Sequence, residues 1–128
     1  MSLEQLTVAQ LESKLQEEEV ECSTRFAERL DFLDIQILRK FYATGKEFPN
    51  DTQPFCFPIL FREMRVNHHL KIGIEALRKR ADNLVKFGLL EKIKHSNPSN
   101  YSPARGKEWF VRAIILKFFL INGLTKFL

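Results

Sequence analysis

The chain has 128 residues, 45% of them hydrophobic and 28% charged, so it is the size of one domain and apolar enough to form a core. Its most apolar run, residues 113–121, is interrupted by Lys117 and is too short to cross a bilayer, so we expect no membrane partner. There is no secretory leader, and the only cysteines are Cys22 and Cys56, which predicts a cytoplasmic protein with reduced thiols.

Charge is distributed unevenly along the chain, whose net charge is +4. Residues 1–29 hold seven Glu and three Lys or Arg, whereas residues 30–128 hold nine Asp or Glu and seventeen Lys or Arg. A basic body favours a polyanionic partner, because neutralising phosphates releases their counterions. An ordinary solvated surface would have the same composition, so charge alone does not decide between the two.

The acidic segment 1–29 is predicted to be a helical arm. Residues 3–21 fit one helix, with Ser2 and Gln5 spaced as a capping box and with Leu11 and Leu15 on one side. Such an arm could pack on its own domain or serve dimerisation, and the sequence favours neither.

Two further helices and a loop follow the arm. Ser23 or Thr24 can begin a short helix, and Asp31 can cap a second helix that ends near Gly45. The second helix has apolar residues at the spacing of one buried face. Prolines make residues 46–57 a loop, in which residues 55–57 can form a short extended piece beside a hairpin.

The next segment reads as helix, turn, helix and hairpin. A helix begins with Pro58 in its first turn. A second apolar stripe has the spacing 4, 3, 4, 3 and stops at Gly88; its members are Leu70, Ile74, Leu77, Ala81 and Leu84. Two short strands, near residues 90–95 and 101–104, then flank a turn at residues 97–100.

The last helix, residues 107–119, is apolar on nearly every side, so every side should be buried. A small domain can cover one face, and the other needs either the N-terminal helix or a second subunit. We therefore expect a homodimer formed by the two ends of the chain. Its candidate contact residues are Leu11, Leu15, Trp109, Phe110, Ile114 and Phe118.

Two short motifs connect these elements to a known fold. Residues 83–90, NLVKFGLL, resemble the LxxxGLI exit from a recognition helix, and residues 101–108, YSPARGKE, resemble the YxLTxxG entry into a final helix. Over residues 31–119 the chain resembles the winged helix-turn-helix superfamily, in the style of small archaeal and bacterial transcription regulators. The resemblance implies a mainly α fold with a small β-hairpin wing in residues 30–128, plus extra N- and C-terminal helices. The turn at residues 67–73 is longer than usual, so we expect the recognition helix to begin near Ile72.

The resemblance also implies a function, namely binding of double-stranded DNA by a transcriptional regulator. The helix ending at Gly88 would read the major groove, and the 91–105 wing would contact the backbone or minor groove. Glu75 could accept a hydrogen bond from cytosine or pair with Lys71 or Lys79. The DNA-facing candidates are Lys71, Glu75, Arg78, Lys79 and Arg80 on the helix, and Lys92, Lys94, His95, Asn97, Ser99, Asn100 and Arg105 around the wing.

A protein-interaction module of a replication, segregation or transcription complex is the alternative, since winged helices serve that role too. Catalysis is not expected, because the sequence has no Ser/His/Asp set, no paired catalytic carboxylates and no Gly-rich phosphate loop. His68, His69 and His95 lack the spacing of metal ligands, so we expect neither metal nor cofactor.

Overall fold

Helices dominate the structure, a computed structural model that describes residues 8–42, 55–68, 71–93, 100–124 and 126. Within those residues the chain is mainly helical with a small antiparallel hairpin, which confirms the coarse class predicted from the sequence. The helices are α1 (Val8–Glu12), α2 (Glu17–Arg29), α3 (Phe32–Phe41), α4 (Phe57–His68), α5 (Ile74–Lys86) and α6 (Glu108–Ile121). The strands are β1 (Phe55–Cys56), β2 (Leu90–Ile93) and β3 (Asn100–Pro103).

The prediction of one helix over residues 3–21 is wrong, because the chain turns after Glu12 and starts α2 at Glu17. The three consecutive glutamates then lie in the first turn of α2, where the helix dipole favours negative charge, instead of at a C-terminal end, where it opposes them. The backbone N–H of Gln16 donates to Oε1 of Glu19 at 3.2 Å, which satisfies one of the free donors at this end. Ser23 and Thr24 lie inside α2 and start no helix of their own.

Asp31 caps α3, as the sequence predicted. The backbone N–H of Asp34 donates to Oδ1 of Asp31 at 3.0 Å, and the N–H of Asp31 donates back to Oδ2 of Asp34 at 3.3 Å. This reciprocal pair satisfies two donors that the first turn leaves open. The start of α3 is therefore encoded locally, by two residues three positions apart.

The three strands form an antiparallel sheet in the order β1-β3-β2. Tyr101 on the central strand lies opposite Phe55 on one side and Lys92 on the other. The pairing of the short extended piece before α4 with the hairpin was predicted, and the structure confirms it.

Helix α5 has sharp boundaries at both ends. It begins at Ile74 with Gly73 as its N-cap, two residues after the predicted start near Ile72. Helix α4 continues to His68, so the predicted turn at residues 67–73 does not begin at residue 67. At its C-terminal end, Gly88 adopts a φ of 78°, a left-handed conformation that glycine takes without a Cβ penalty. The N–H of Leu89 then donates to the carbonyl oxygen of Leu84 at 3.0 Å and turns the chain into β2.

Helix α6 lies at the centre of the molecule, in contact with α1 and α2 and also with α3. Every residue from Phe110 to Phe119 is buried. The N-terminal helices therefore cover the second face of α6. From the sequence, either these helices or a second subunit could have covered it.

This burial corrects the basis of the dimer expectation. Phe110, Ile114 and Phe118 are buried within their own chain, and Leu15 and Trp109 pack against the same core. The side chain of Leu11 lies outside the described residues. Because the surplus apolar surface of α6 is already covered, it no longer argues for a second subunit.

Candidate nucleic-acid interface

Helix α5 presents one side to the core and the other to solvent. Leu77, Ala81 and Leu84 are buried, and the helix contacts α3, α4 and β2. Their spacing of four and three residues keeps them on a single stripe, so the residues between them point outward. The apolar stripe therefore decides which of the basic side chains are presented to solvent.

Three lysines of this region are exposed and have no acidic partner among the residues that the structure describes. Lys71 precedes α5, Lys79 lies in its middle, and Lys86 is its last residue. Across the described ranges, no carboxylate forms an ion pair with any of the three. Lys71 and Lys79 were predicted as DNA contacts, and Lys86 was missed, although its place on the outward side of the predicted helix could have indicated it.

Glu75 pairs with Arg78, whereas the sequence suggested either a hydrogen bond to cytosine or a pair with Lys71 or Lys79. The Nη1 of Arg78 donates to Oε1 of Glu75 at 3.0 Å, an i, i+3 pair along the helix. The guanidinium carbon of Arg78 also lies 4.7 Å from the ring centroid of Phe57. Phe57 thus orients Arg78 by a cation–π contact, while the side chain remains partly exposed.

Arg80 points toward the start of α3. Its Nη1 donates to carboxylate oxygens of both Asp31 and Asp34, in the latter case at 3.4 Å. Burial raises the pKa of Asp34, whereas for Asp31 the hydrogen bonds from Arg80 and Asp34 outweigh burial and lower the pKa. Arg80, predicted to face DNA, already has two acidic partners within the chain, so its charge acts between α5 and α3.

At the hairpin, the carboxylate of Asp82 has two partners, one neutral and one cationic. The hydroxyl of Tyr101 donates to Oδ1 of Asp82 at 2.6 Å, and Nζ of Lys92 lies 3.3 Å from the same oxygen. Burial, followed by the hydrogen bond to Asp82, raises the pKa of Tyr101. Lys92, a predicted contact, is therefore tied to α5 by its ion pair with Asp82.

Of the remaining predicted contacts, two are described by the structure and four are not. Arg105 is exposed, and its backbone N–H donates to Oε1 of Glu91 at 3.2 Å. Asn100, the first residue of β3, is partly exposed. Lys94, His95, Asn97 and Ser99 lie outside the described residues.

Helix α4 adds two arginines that were not among the predicted DNA contacts. Arg62 and Arg65 are exposed, and with Phe61 and Val66 they line a shallow hollow of about 250 Å³. The guanidinium of Arg65 lies 5.6 Å from the ring centroid of Phe61. Helical spacing places the two arginines on the side of α4 opposite the buried Leu60 and Met64. The sequence therefore already indicated that they face outward.

No group of three or more His, Cys, Asp or Glu side chains that could hold a metal ion occurs in the described part of the chain. His69 and His95 fall outside that part, so the expectation of no metal site stays a prediction. A helix must be about 20 residues long and largely apolar to span a bilayer, and none of the six helices given above meets that requirement.

The chain was compared with family models, curated proteins and solved structures. No family model, no curated protein and no solved structure matches the chain significantly.

Proposed function

We propose that the protein binds double-stranded DNA as a winged helix-turn-helix transcription regulator. Helix α5 would lie in the major groove, and the β2–β3 hairpin would contact the sugar-phosphate backbone or the minor groove. The observation that carries the proposal is an excess of unpaired positive charge on the solvent side of α5. Lys71, Lys79 and Lys86 are unpaired by carboxylates of the described residues, while both acidic groups there, Glu75 and Asp82, have cationic partners.

The order of elements supports the same proposal. A helix (α3), a strand (β1), two helices (α4 and α5), an antiparallel hairpin and a final helix follow one another, and β1 pairs with the second hairpin strand. This is the arrangement that the two sequence motifs led us to expect. The resemblance implies that the second of the two central helices carries the base contacts.

Each cation has a role that its chemistry suits. A guanidinium can donate two parallel hydrogen bonds to guanine, so Arg78, oriented by Phe57, is the candidate for base contact. Lysine ammonium groups more often meet phosphates, which positions a protein without reading sequence. Lys71, Lys79 and Lys86 would supply that positioning, and Arg62 and Arg65 are further exposed cations on α4, which packs against α5.

The test is duplex binding measured by fluorescence anisotropy over a series of salt concentrations. The variant Arg78→Gln with Lys79→Gln should weaken binding by about tenfold to 100-fold and reduce the log–log salt slope by about 0.9, because of the two side chains only Lys79 is assigned to a phosphate. The matched control, Lys14→Ala with Lys126→Ala, removes the same charge from the ends of the described chain and should leave the slope less affected. Equal affinities for the parent and the α5 variant at matched salt would rule out this assignment of α5.

Selection of bound duplexes from a random pool would then test sequence reading. Enrichment of one motif supports a regulator that reads bases, and its loss in the α5 variant would assign the reading to that helix. Two half-sites about one helical turn apart would indicate a dimer. The two copies would then meet through surfaces other than the buried side chains of α6.

Two exposed aliphatic side chains on α4 favour a protein-interaction module as the second candidate. Ile59 and Val66 are 42% and 67% exposed, and Arg62 lies between them on the helix. Exposed aliphatic side chains suit contacts with protein better than contacts with phosphate. Absence of any duplex binding at low salt would favour this second candidate over the first.

A further inference from the structure

A hollow of about 170 Å³ opens along α2. It is lined by Cys22, Arg25, Phe26 and Arg29. These residues recur at three- and four-residue intervals, so they share one face of the helix.

The apolar part of the hollow is aromatic. The Phe26 ring centroid lies 5.7 Å from that of Phe87 and 6.0 Å from that of Phe110, in tilted and edge-to-face arrangements. These are the spacings of stable aromatic pairs, so the ring of Phe26 is held in place from two sides. Phe87 is 51% exposed, and a large apolar side chain beside a hollow can gain from being covered.

The polar part of the hollow is cationic. Arg25 and Arg29 are exposed and lie one turn apart. Neither guanidinium forms an ion pair with a carboxylate in the described ranges, and Nη2 of Arg25 reaches only the thiol sulfur of Cys22, at 3.8 Å. Sulfur is a weak acceptor, so nearly all the donor capacity of both arginines is open to a ligand.

We propose that this hollow binds a small carboxylate whose apolar body is the size of one aromatic ring. Size supports this class, because an apolar cavity of about 150 Å³ in another protein holds benzene. Charge supports it too, because a guanidinium pairs with a carboxylate through two parallel hydrogen bonds. The inference does not depend on DNA binding, since none of its residues belongs to the proposed interface.

Benzoate is the probe, used with the full-length protein. Iodoacetamide is added, and the alkylation rates of Cys22 and Cys56 are followed separately by mass spectrometry of their peptides. Benzoate in the hollow should slow the reaction of Cys22 and leave Cys56 as the internal reference, with half-protection on the order of 1 mM. Benzyl alcohol, which lacks the carboxylate, and acetate, which lacks the ring, should each protect Cys22 at least about tenfold less well.

Two matched variants assign the effect to the hollow. Arg25→Gln with Arg29→Gln should weaken protection by at least about tenfold, because the charge-assisted hydrogen bonds are lost. Arg62→Gln with Arg65→Gln makes the same charge change at the α4 hollow, which also contains a phenylalanine, and should retain protection of Cys22. All four arginines are exposed, so both variants keep the core.

Three results would overturn the proposal. The first is no protection of Cys22 by benzoate in the parent protein, which needs no variant to fold. The second is equal protection by benzyl alcohol, which would mean that the hollow binds rings without selecting a carboxylate. The third is loss of protection in the α4 variant but not in the α2 variant, which would place the binding elsewhere.

Discussion

The ammonium of Lys117 lies 2.8 Å from Oε1 of Glu12, which joins the central helix α6 to the short helix α1. Three further oxygens lie within hydrogen-bond distance of the same Nζ: Oγ of Ser23 at 2.8 Å, Oγ1 of Thr24 at 3.0 Å and the carbonyl oxygen of Val20 at 3.2 Å. The three N–H groups of Lys117 are therefore shared among four acceptors. Lys117 is only 7% exposed, so its charge depends on these partners from α1 and α2. One lysine therefore connects three helices.

Removing Glu12 should cost more stability than removing Lys117. Glu12→Gln leaves a buried ammonium with neutral acceptors only, and we expect a loss of about 1–2 kcal/mol in the free energy of unfolding. Lys117→Met removes the charge together with its need for partners, and Ser23 Oγ still donates to the carbonyl oxygen of Val20 at 2.7 Å. Urea unfolding of the two variants measures the order, and a larger loss for Lys117→Met would contradict it.

The Tyr42 hydroxyl should be among the most important buried polar groups for stability. It donates to the carbonyl oxygen of Leu89 at 2.8 Å and accepts from the N–H of Ala104 at 2.7 Å, which ties the end of α3 to both sides of the hairpin. Tyr42→Phe removes both bonds, so we expect a loss of about 2–4 kcal/mol. Tyr101→Phe is the matched control and should cost about 1 kcal/mol, because Asp82 keeps its pairing with Lys92. Equal losses in urea unfolding would argue against the role given to Tyr42.

Stability should fall in alkaline solution because of the two tyrosines, the only ones in the chain. Burial raises the pKa of both Tyr42 and Tyr101 well above the ordinary value of 10.0. Above pH 10 the unfolded chain loses these protons while the folded chain keeps them, so the unfolded state binds fewer protons and the free energy of unfolding decreases. Each tyrosine contributes up to about 1.4 kcal/mol per pH unit.

The absorbance of tyrosinate measures that linkage directly. It should stay low above pH 10 while the protein is folded and rise together with the loss of helical circular dichroism. Tyr42→Phe should reduce the pH dependence by the share of one group. A normal tyrosine titration in the folded protein would show that neither hydroxyl is held as described.

Arg80 should affect stability much more than DNA binding. Its contacts with Asp31 and Asp34 hold α5 against the start of α3, but the groups are partly exposed and solvent screens them. We expect Arg80→Ala to cost about 1 kcal/mol, less at high salt, with a smaller effect on the salt slope of duplex binding than Lys79→Ala. A larger loss of DNA affinity for Arg80→Ala than for Lys79→Ala would mean that Arg80 contacts DNA.

Short-range signals predicted the parts of this fold that depend on neighbours in sequence. The Asp31 cap, the end of α5 before Gly88 and the burial of Leu77, Ala81 and Leu84 were predicted, because each involves residues within one or two helical turns. Ile74, predicted to belong to the same stripe, is 39% exposed, and Leu70 lies outside the described residues. The break between α1 and α2, which the sequence did not predict, shows the limit of such local signals. Both one helix and two satisfied the apolar spacing, and only the position of the three glutamates in a first turn distinguished them.

The sequence by itself determined a mainly helical chain with a hairpin and a basic, outward-facing side on α5. Tertiary structure decided which charges on that side have ion-pair partners. Arg80 pairs with Asp31, which is 49 positions away, and no local spacing encodes that pair. It also decided that the chain's own N-terminal helices cover α6, where the sequence allowed a second subunit. The physical reason is that periodicity specifies which face of a helix is apolar, whereas the element that buries the face depends on how distant segments come together.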